Sequence, residues 1–353
     1  MLHYEIGLPV FVALILGAGV AALSTAAPDG ELTRQIVFLG VAFVACAGIL
    51  WLGLQRILPH VYTIYVVAIA LLVLTKFFGA EINGARSWLY IGPLPGFQPS
   101  ELAKMALILA LAVSLHERPI ENVLHYLRPA FLIGLPCALV LLEPDLGGVM
   151  MLAAAGAGIL LVRGVPRWHL ILCVVIVAVA VPTVGWPNLK PHQRERLEIF
   201  VNPAADPQGS GYQVIQSRIA IGSGGLTGKG YGQGTQSQLG FIPYRQTDFI
   251  YAVIAEEGGF IAAAGLLLLY GLLFWRLVEM LAECPLDRNR LIIAGVLSLL
   301  GFQMLVNVGV TLGLAPVTGV TLPLVSYGGT SLVSTLMLLS IAYVAHRDRF
   351  IDW

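Results

Sequence analysis

Charge is what this sequence has least of. Lys, Arg, Asp and Glu make up 11% of its 353 residues, against about 25% in an ordinary soluble domain, which excludes a soluble globular fold. The twenty basic and twenty acidic residues cancel to zero, so no charge imbalance points to a nucleic-acid partner or a polyanionic tail. Cysteine is almost as scarce. Cys46, Cys137, Cys173 and Cys284 include no C-x-x-C pair, which excludes a disulfide framework or a thiolate metal site. The seven histidines show no H-x-x-x-H or Cys/His spacing, so no structural zinc is expected. Nucleotide-binding loops are missing too. In "GSGGLTGKGYGQG" Ser223 stands where G-x-x-x-x-G-K-[ST] needs its first glycine, Gly230 follows Lys229, and G-x-G-x-x-G has no match.

What is present is apolar. Hydrophobic residues make up 58% of the chain and the mean hydropathy is +0.84. Runs of about 20 mostly apolar residues, the length that crosses a bilayer as a helix, occur near 6–27, 35–54, 59–79, 101–116, 128–143, 147–163, 168–185, 249–275, 291–313 and 324–345. The expected fold is an all-α integral membrane protein with about ten transmembrane helices, a single polytopic membrane domain over 1–353. The run Ile6 to Ala27 lacks a cationic n-region and is too long for a signal-peptide core, so it is expected to be the first span.

Sidedness follows from the Lys/Arg bias of short loops. Arg56, Arg118, Arg128, Arg163, Arg167, Arg276, Arg288, Arg290, Arg347 and Arg349 fall on one side, with only Arg34, Lys76, Arg86 and Lys104 opposite. Both termini are therefore expected in the cytoplasm. The long connection 186–247, between spans seven and eight, is then extracytoplasmic. Its apolar pieces, as in "GYQVIQSRIAIGSGG", suggest re-entrant or interfacial segments.

Charges inside apolar surroundings are costly and so informative. In "YRQTDFIYAVIAEEGGF" Asp248 stands at the start of the eighth span, where a helix cap is the favoured reading and a carboxylate facing the bundle the alternative. Helical spacing puts it on one face with Ala252, Ala255 and Gly259, a small-residue seam that admits a close neighbour. For Glu256 and Glu257, structural pairing is favoured over proton carriage. "FQPSELAK" starts a helix at Pro99 and Ser100 and sets Glu101 and Lys104 at ion-pair spacing, which suits an interfacial salt bridge as well as a site. Arg86 could grip a phosphate, and Trp88 suits a membrane-interface belt. Glu143 and Asp145 in "LLEPDLGG" could offer two oxygens to a divalent cation, with a solvated turn the favoured reading. The outer connection holds Lys190, Arg194, Arg196, Arg218, Lys229 and Arg245. This cationic set suits an anionic ligand such as pyrophosphate, the plainer reading being anchorage to lipid headgroups.

Several blocks, in order along nearly the whole chain, resemble the SEDS family of shape, elongation, division and sporulation proteins: "NGARSWLYIG", "FQPSELAK", "EPDLGG", the stretch from "HQRERLEIF" through "RQTDFIYAVIAEE", and "NVGVTLGLAPVTGVTLPLVSYGGTS". "GQGTQSQLGF" looks more like the elongation branch than the division branch. The resemblance implies a peptidoglycan glycosyltransferase that polymerises lipid II at the outer face of the bacterial inner membrane, for elongation and rod shape, beside a class B penicillin-binding protein transpeptidase and among membrane lipids. The family's essential aspartate falls on Asp248 and its sensitive tryptophan on Trp88. Three departures stand out: "RQTD" for a usual His-Thr-Asp or Ser-Thr-Asp, Glu143 for a usual glutamine, and Ser87 for a frequent arginine.

With Asp248 as base, the implied substrate-binding residues are Arg86, Trp88, Glu101, Lys104, Asp145, Arg194, Arg196, Arg218, Lys229 and Arg245. No metal ligand is assigned, and a Mg²⁺ or Mn²⁺ ion near Asp145 or Asp248 stays open because pyrophosphate often brings one. The rival reading is a lipid-linked precursor flippase or proton-coupled transporter using Glu256, Glu257, Glu101 and Lys104 as its relay.

Overall fold

A computed structural model describes residues 6–82, 85–90, 96–117, 123–166, 168–169, 171, 175 and 210–351. Its helices are α1 (Gly7–Ala26), α2 (Glu31–Ile57), α3 (Val61–Phe78), α4 (Pro99–Glu117), α5 (Leu127–Leu142), α6 (Leu146–Arg163), α7 (Ser210–Ser223), α8 (Thr235–Gln238), α9 (Ile250–Glu283), α10 (Asp287–Leu312) and α11 (Gly329–Arg347). A 3-10 turn over Leu58–His60, with Pro59 inside it, joins α2 to α3, and another over Val123–Tyr126 leads into α5. Among the described residues, seven helical stretches are long and apolar enough to cross a membrane, α2 and α3 counting as one, and α5 is a shorter apolar helix. Nine of the ten expected spans therefore have a helix. The span at 168–185 lies largely outside the described residues.

The departures from the expected boundaries have physical causes. The eighth span was expected to end at 275, but α9 continues to Glu283 because its last turns carry Arg276 paired to Glu279 at 2.5 Å and to Glu283 at 3.8 Å. Hydropathy falls there while the helix goes on. The last span begins at Gly329 instead of 324, since Leu322 to Gly328 form a turn whose polar groups are used elsewhere. A small hairpin, unforeseen, precedes α4: β1 (Ala80–Ile82) runs antiparallel to β2 (Ala85–Trp88), with Ala80 opposite Trp88 and Ile82 opposite Ala85.

α4 forms the axis of the bundle. Its residues are buried from Pro99 to Leu115 except Leu102, and α3, α5, α6, α10 and α11 pack around it. Small residues set the close approaches: a Cβ on Gly295 of α10 would lie 2.8 Å from Ile159 of α6 and 2.9 Å from Ile108 of α4. Without a hydrophobic drive between helices in lipid, such close packing is a principal source of cohesion. α1, α2 and α9 lie at the perimeter and expose Leu14, Phe43, Trp51, Phe260 and Trp275, as lipid-facing helices should.

Candidate active site

The Tyr244–Asp248 turn is held by its backbone. Thr247 and Asp248 donate their N–H groups to Tyr244 O at 3.0 and 3.2 Å. The carbonyls of Gln246, Thr247 and Asp248 are gripped from elsewhere. Tyr327 N donates to Gln246 O at 2.8 Å, Ser326 Oγ to Thr247 O at 2.5 Å, and Asn307 Nδ2 to Asp248 O at 3.0 Å. Asn307 also donates to Val320 O at 2.8 Å, while Gln35 of α2 donates to Ser326 O at 3.1 Å and accepts from Gly328 N at 3.2 Å. With three successive carbonyls fixed by α10 and the 320–328 turn, the root of the Asp248 side chain has one position. The N-cap of α9 is Phe249, one residue beyond Asp248. Phe249 is fully buried among Met151, Ala252, Val306 and Val310, and this anchors the junction while Asp248 itself stays half-exposed.

Asn307, Ser326, Tyr327 and Gln35 are the residues that sequence reasoning missed. Their signal was present: an amide side chain within an apolar helix is costly unless bonded, and Gln303 and Asn307 sit one turn apart in α10.

The glycine-rich segment 224–230 is a packing device. α9 breaks at Gly259, where φ is +66°, so the carbonyls and N–H groups on either side lose their helical partners. The loop supplies them. Lys229 N and Gly230 N donate to Glu256 O and Glu257 O, each at 3.0 Å, and Phe260 N and Ile261 N donate to Gly225 O at 2.9 Å and Leu226 O at 3.2 Å. A Cβ on Gly224 would run into Ala255 O and one on Gly228 into Glu257 O. The small-residue seam of α9 thus receives the loop's own backbone.

The two glutamates are structural partners, as favoured from sequence. Glu256, fully buried, accepts from Lys229 Nζ at 2.7 Å and from Gln236 N and Ser237 N at 2.8 and 3.0 Å, holding the start of α8. Glu257 accepts from Thr25 Oγ1 at 3.0 Å and Gln238 Nε2 at 3.4 Å, tying α1 to α8.

The other sequence-derived residues fall in separate places. Lys229 also bonds Thr235 Oγ1 at 2.7 Å, and Arg245 donates to Ala26 O at 2.8 Å and to Ser237 O, so both make structural bonds around α8. Arg218 is exposed on α7, its side chain beside Gly313 at the end of α10, and α7 is tied down by Ser217 Oγ donating to Thr311 O at 2.5 Å. Arg86 is exposed on β2 and Trp88 half-buried against Gly96. Glu101 and Lys104 form a 2.7 Å ion pair, both buried, with the Ser334 hydroxyl donating to Glu101. Arg194 and Arg196 lie outside the described residues. Asp145 is the N-cap of α6, accepting from Gly148 N at 2.8 Å. Glu143, just past the end of α5, is 2% exposed rather than solvated. Burial, and then the Asp145 carboxylate, pushes its carboxyl up to about 8. Among the described residues no group of three or more His, Cys, Asp or Glu is placed to hold a metal.

Three turns, 143–147, 244–248 and 317–328, thus meet through Asn307, whose amide bonds both Asp248 O and Val320 O, and through Gly147, whose α-carbon faces Val320 and Thr318 O. A family model for FtsW, RodA and SpoVE, described as cell cycle protein, matches residues 5–350. The chain belongs to this family. The peptidoglycan glycosyltransferase MrdB of Escherichia coli K12 is 38% identical over 348 residues, covering 96% of this chain and 92% of that protein. A chain in a structure reported under "Structural coordination of polymerization and crosslinking by a peptidoglycan synthase complex" is 46% identical, with a TM-score of 0.88 and full coverage of both chains. The crystal structure of the Thermus thermophilus rod shape determining protein RodA is 39% identical, with a TM-score of 0.78 over 99% of each chain. The chain is accordingly a multi-pass membrane protein of this family.

Proposed function

We propose that the protein is a peptidoglycan glycosyltransferase that polymerises lipid II into glycan strands for cell elongation. It works in the bacterial inner membrane as one polytopic domain, with both termini cytoplasmic and the 186–247 connection at the outer face. Its partner is a class B penicillin-binding protein transpeptidase. The observation that carries this reading is the half-exposed Asp248 on a turn bonded at three successive carbonyls, in a chain whose relatives bear that activity in their names.

The chemistry asks for one base. A hydroxyl of one lipid-linked disaccharide attacks the anomeric carbon of another. The O–H proton passes to the Asp248 carboxylate, the anomeric C–O bond to phosphate breaks, and undecaprenyl pyrophosphate leaves with the electron pair. A pyrophosphate leaving group is already a stable anion, so fixed cations can replace the general acid that a glycosidase needs. Arg194, Arg196 and Arg218 are the cations assigned to it. Lys229 and Arg245 serve through the α8 clasp, Glu101 and Lys104 through the buried ion pair they form with each other, and Arg86, Trp88 and Asp145 line the path of the substrate. A Mg²⁺ or Mn²⁺ ion is compatible with this reading as additional counter-charge.

The flippase reading has less support. Its relay residues Glu101, Lys104, Glu256 and Glu257 are all engaged in bonds that hold the bundle together. The deciding experiment gives purified protein lipid II and reads glycan length on a gel. Asp248→Asn is expected to lower polymerisation by about 10²–10⁴-fold, the usual contribution of a positioned base, with an unchanged melting temperature. Equal polymer from both proteins would refute the assignment of Asp248.

A further inference from the structure

The Glu143–Asp145 turn contains a carboxylate with nothing to bind. Both Glu143 side-chain oxygens are buried without a hydrogen-bond partner. Protonation does not remove the difficulty, because a neutral acid still has an O–H that needs an acceptor and a C=O that needs a donor. The unmet demand extends beyond this residue. Asn307 Oδ1 and Thr318 Oγ1 are also buried without partners, and both residues belong to the layer that packs on this turn: Thr318 O and Val320 would lie 2.9 and 2.8 Å from a Cβ on Gly147, and Val320 O is bonded by Asn307.

The charges run the same way. Glu143 is the C-cap of α5, at the negative end of that helix dipole, where an anion is disfavoured and a cation favoured. A second acid, Asp145, lies two residues on and accepts from Gly148 N. The unpartnered groups, the Glu143 carboxyl, Asn307 Oδ1 and Thr318 Oγ1, are hard oxygen donors, the set that selects Mg²⁺ or Mn²⁺ over softer metals.

We propose that the turn between α5 and α6 is a divalent-cation site, with Glu143 as its principal ligand and Asp145 as the second carboxylate. Water and neighbouring amide or hydroxyl oxygens complete the shell, as is usual for Mg²⁺ bound through one or two carboxylates. The ion also braces the 143–147 turn against the 317–321 segment, which Asn307 links to Asp248. The proposal rests on the turn's own geometry and does not depend on the transferase reading.

Binding of Mn²⁺ to the full-length protein in detergent, without lipid II, tests it by electron paramagnetic resonance of the free ion. The wild type is expected to bind one Mn²⁺ that Mg²⁺ competes away, and to melt at a higher temperature with Mn²⁺ present. Glu143→Gln, nearly isosteric, is expected to weaken binding at least tenfold and lose the thermal shift, Asp145→Asn to weaken it less. Glu279→Gln, on the exposed flank of α9, is expected to leave binding unchanged. No competable Mn²⁺ on the wild type, or the same affinity in Glu143→Gln as in wild type, overturns the proposal whatever the polymerisation assay gives.

Discussion

Helices α2 and α9 carry the same defect and repair it differently. Each is broken by one glycine in the left-handed region, Gly53 with φ +69° and Gly259 with φ +66°. At Gly259 the lost ladder is replaced by backbone from the 224–230 loop, four bonds in register. At Gly53 the replacement is a side chain: Arg347 Nη1 donates to Leu50 O at 2.9 Å, and its guanidinium is held by Asp348 at 2.8 Å. Backbone repair needs glycine on both partners, since main chains must almost touch. Side-chain repair tolerates more, because the end of an arginine can shift. The end of the bundle where the candidate site lies is thus built from main-chain contacts that define one geometry, whereas the other end is joined by adjustable ion pairs.

The largest effect is expected from Gly228→Ala. Its φ is +79° and its new methyl would meet Glu257 O, so loss of the stitched segment should cost about 3 kcal/mol or more, the range of overpacking combined with forbidden backbone. Thermal unfolding in detergent should show a large drop, and a stable, fully active variant would dismiss the two-sided glycine requirement. Glu256→Ala comes next. It strands Lys229 and two N–H groups of α8, an expected loss of about 2–3 kcal/mol, read in the same melt and as faster proteolysis within 229–245. Gly53→Ala should cost only about 1–2 kcal/mol for the left-handed residue, since its nearest neighbours are the ends of Arg347 and Asp348 at 3.3 and 3.5 Å. If it matched Gly228→Ala, the contrast between the two repairs would be lost. Arg347→Ala, which removes the bond to Leu50 O and the ion pair with Asp348, is expected to cost about 1 kcal/mol in the same melt.

How much could be read beforehand depended on which force set each element. Spans were legible because hydropathy alone drives them, and α5 and α6 begin and end within one residue of expectation. The Glu101–Lys104 spacing gave the observed pair directly, since three residues is a local distance on a helix. Tertiary stitching was not legible. The glycines of 224–230 looked alike whether they faced a phosphate or a broken helix, and only α9's conformation at Gly259 distinguishes the two. The grip on Asp248 comes from Asn307, Ser326 and Tyr327, which are 59 or more residues away in the chain, so no local pattern could reveal it. Glu143 was misjudged as solvated because its burial is imposed by packing of the neighbouring elements.

The enclosure of α4 has a consequence for how the protein is made. Among the described membrane-crossing stretches its most apolar window has the lowest mean hydropathy, 1.3, against 2.5 for the α2–α3 stretch that precedes it. A segment opening with Glu101 and Lys104 gains little by entering lipid unaccompanied. During synthesis α4 should therefore linger at the translocon until later helices emerge to receive it, and it joins the membrane through its neighbours instead of partitioning by itself.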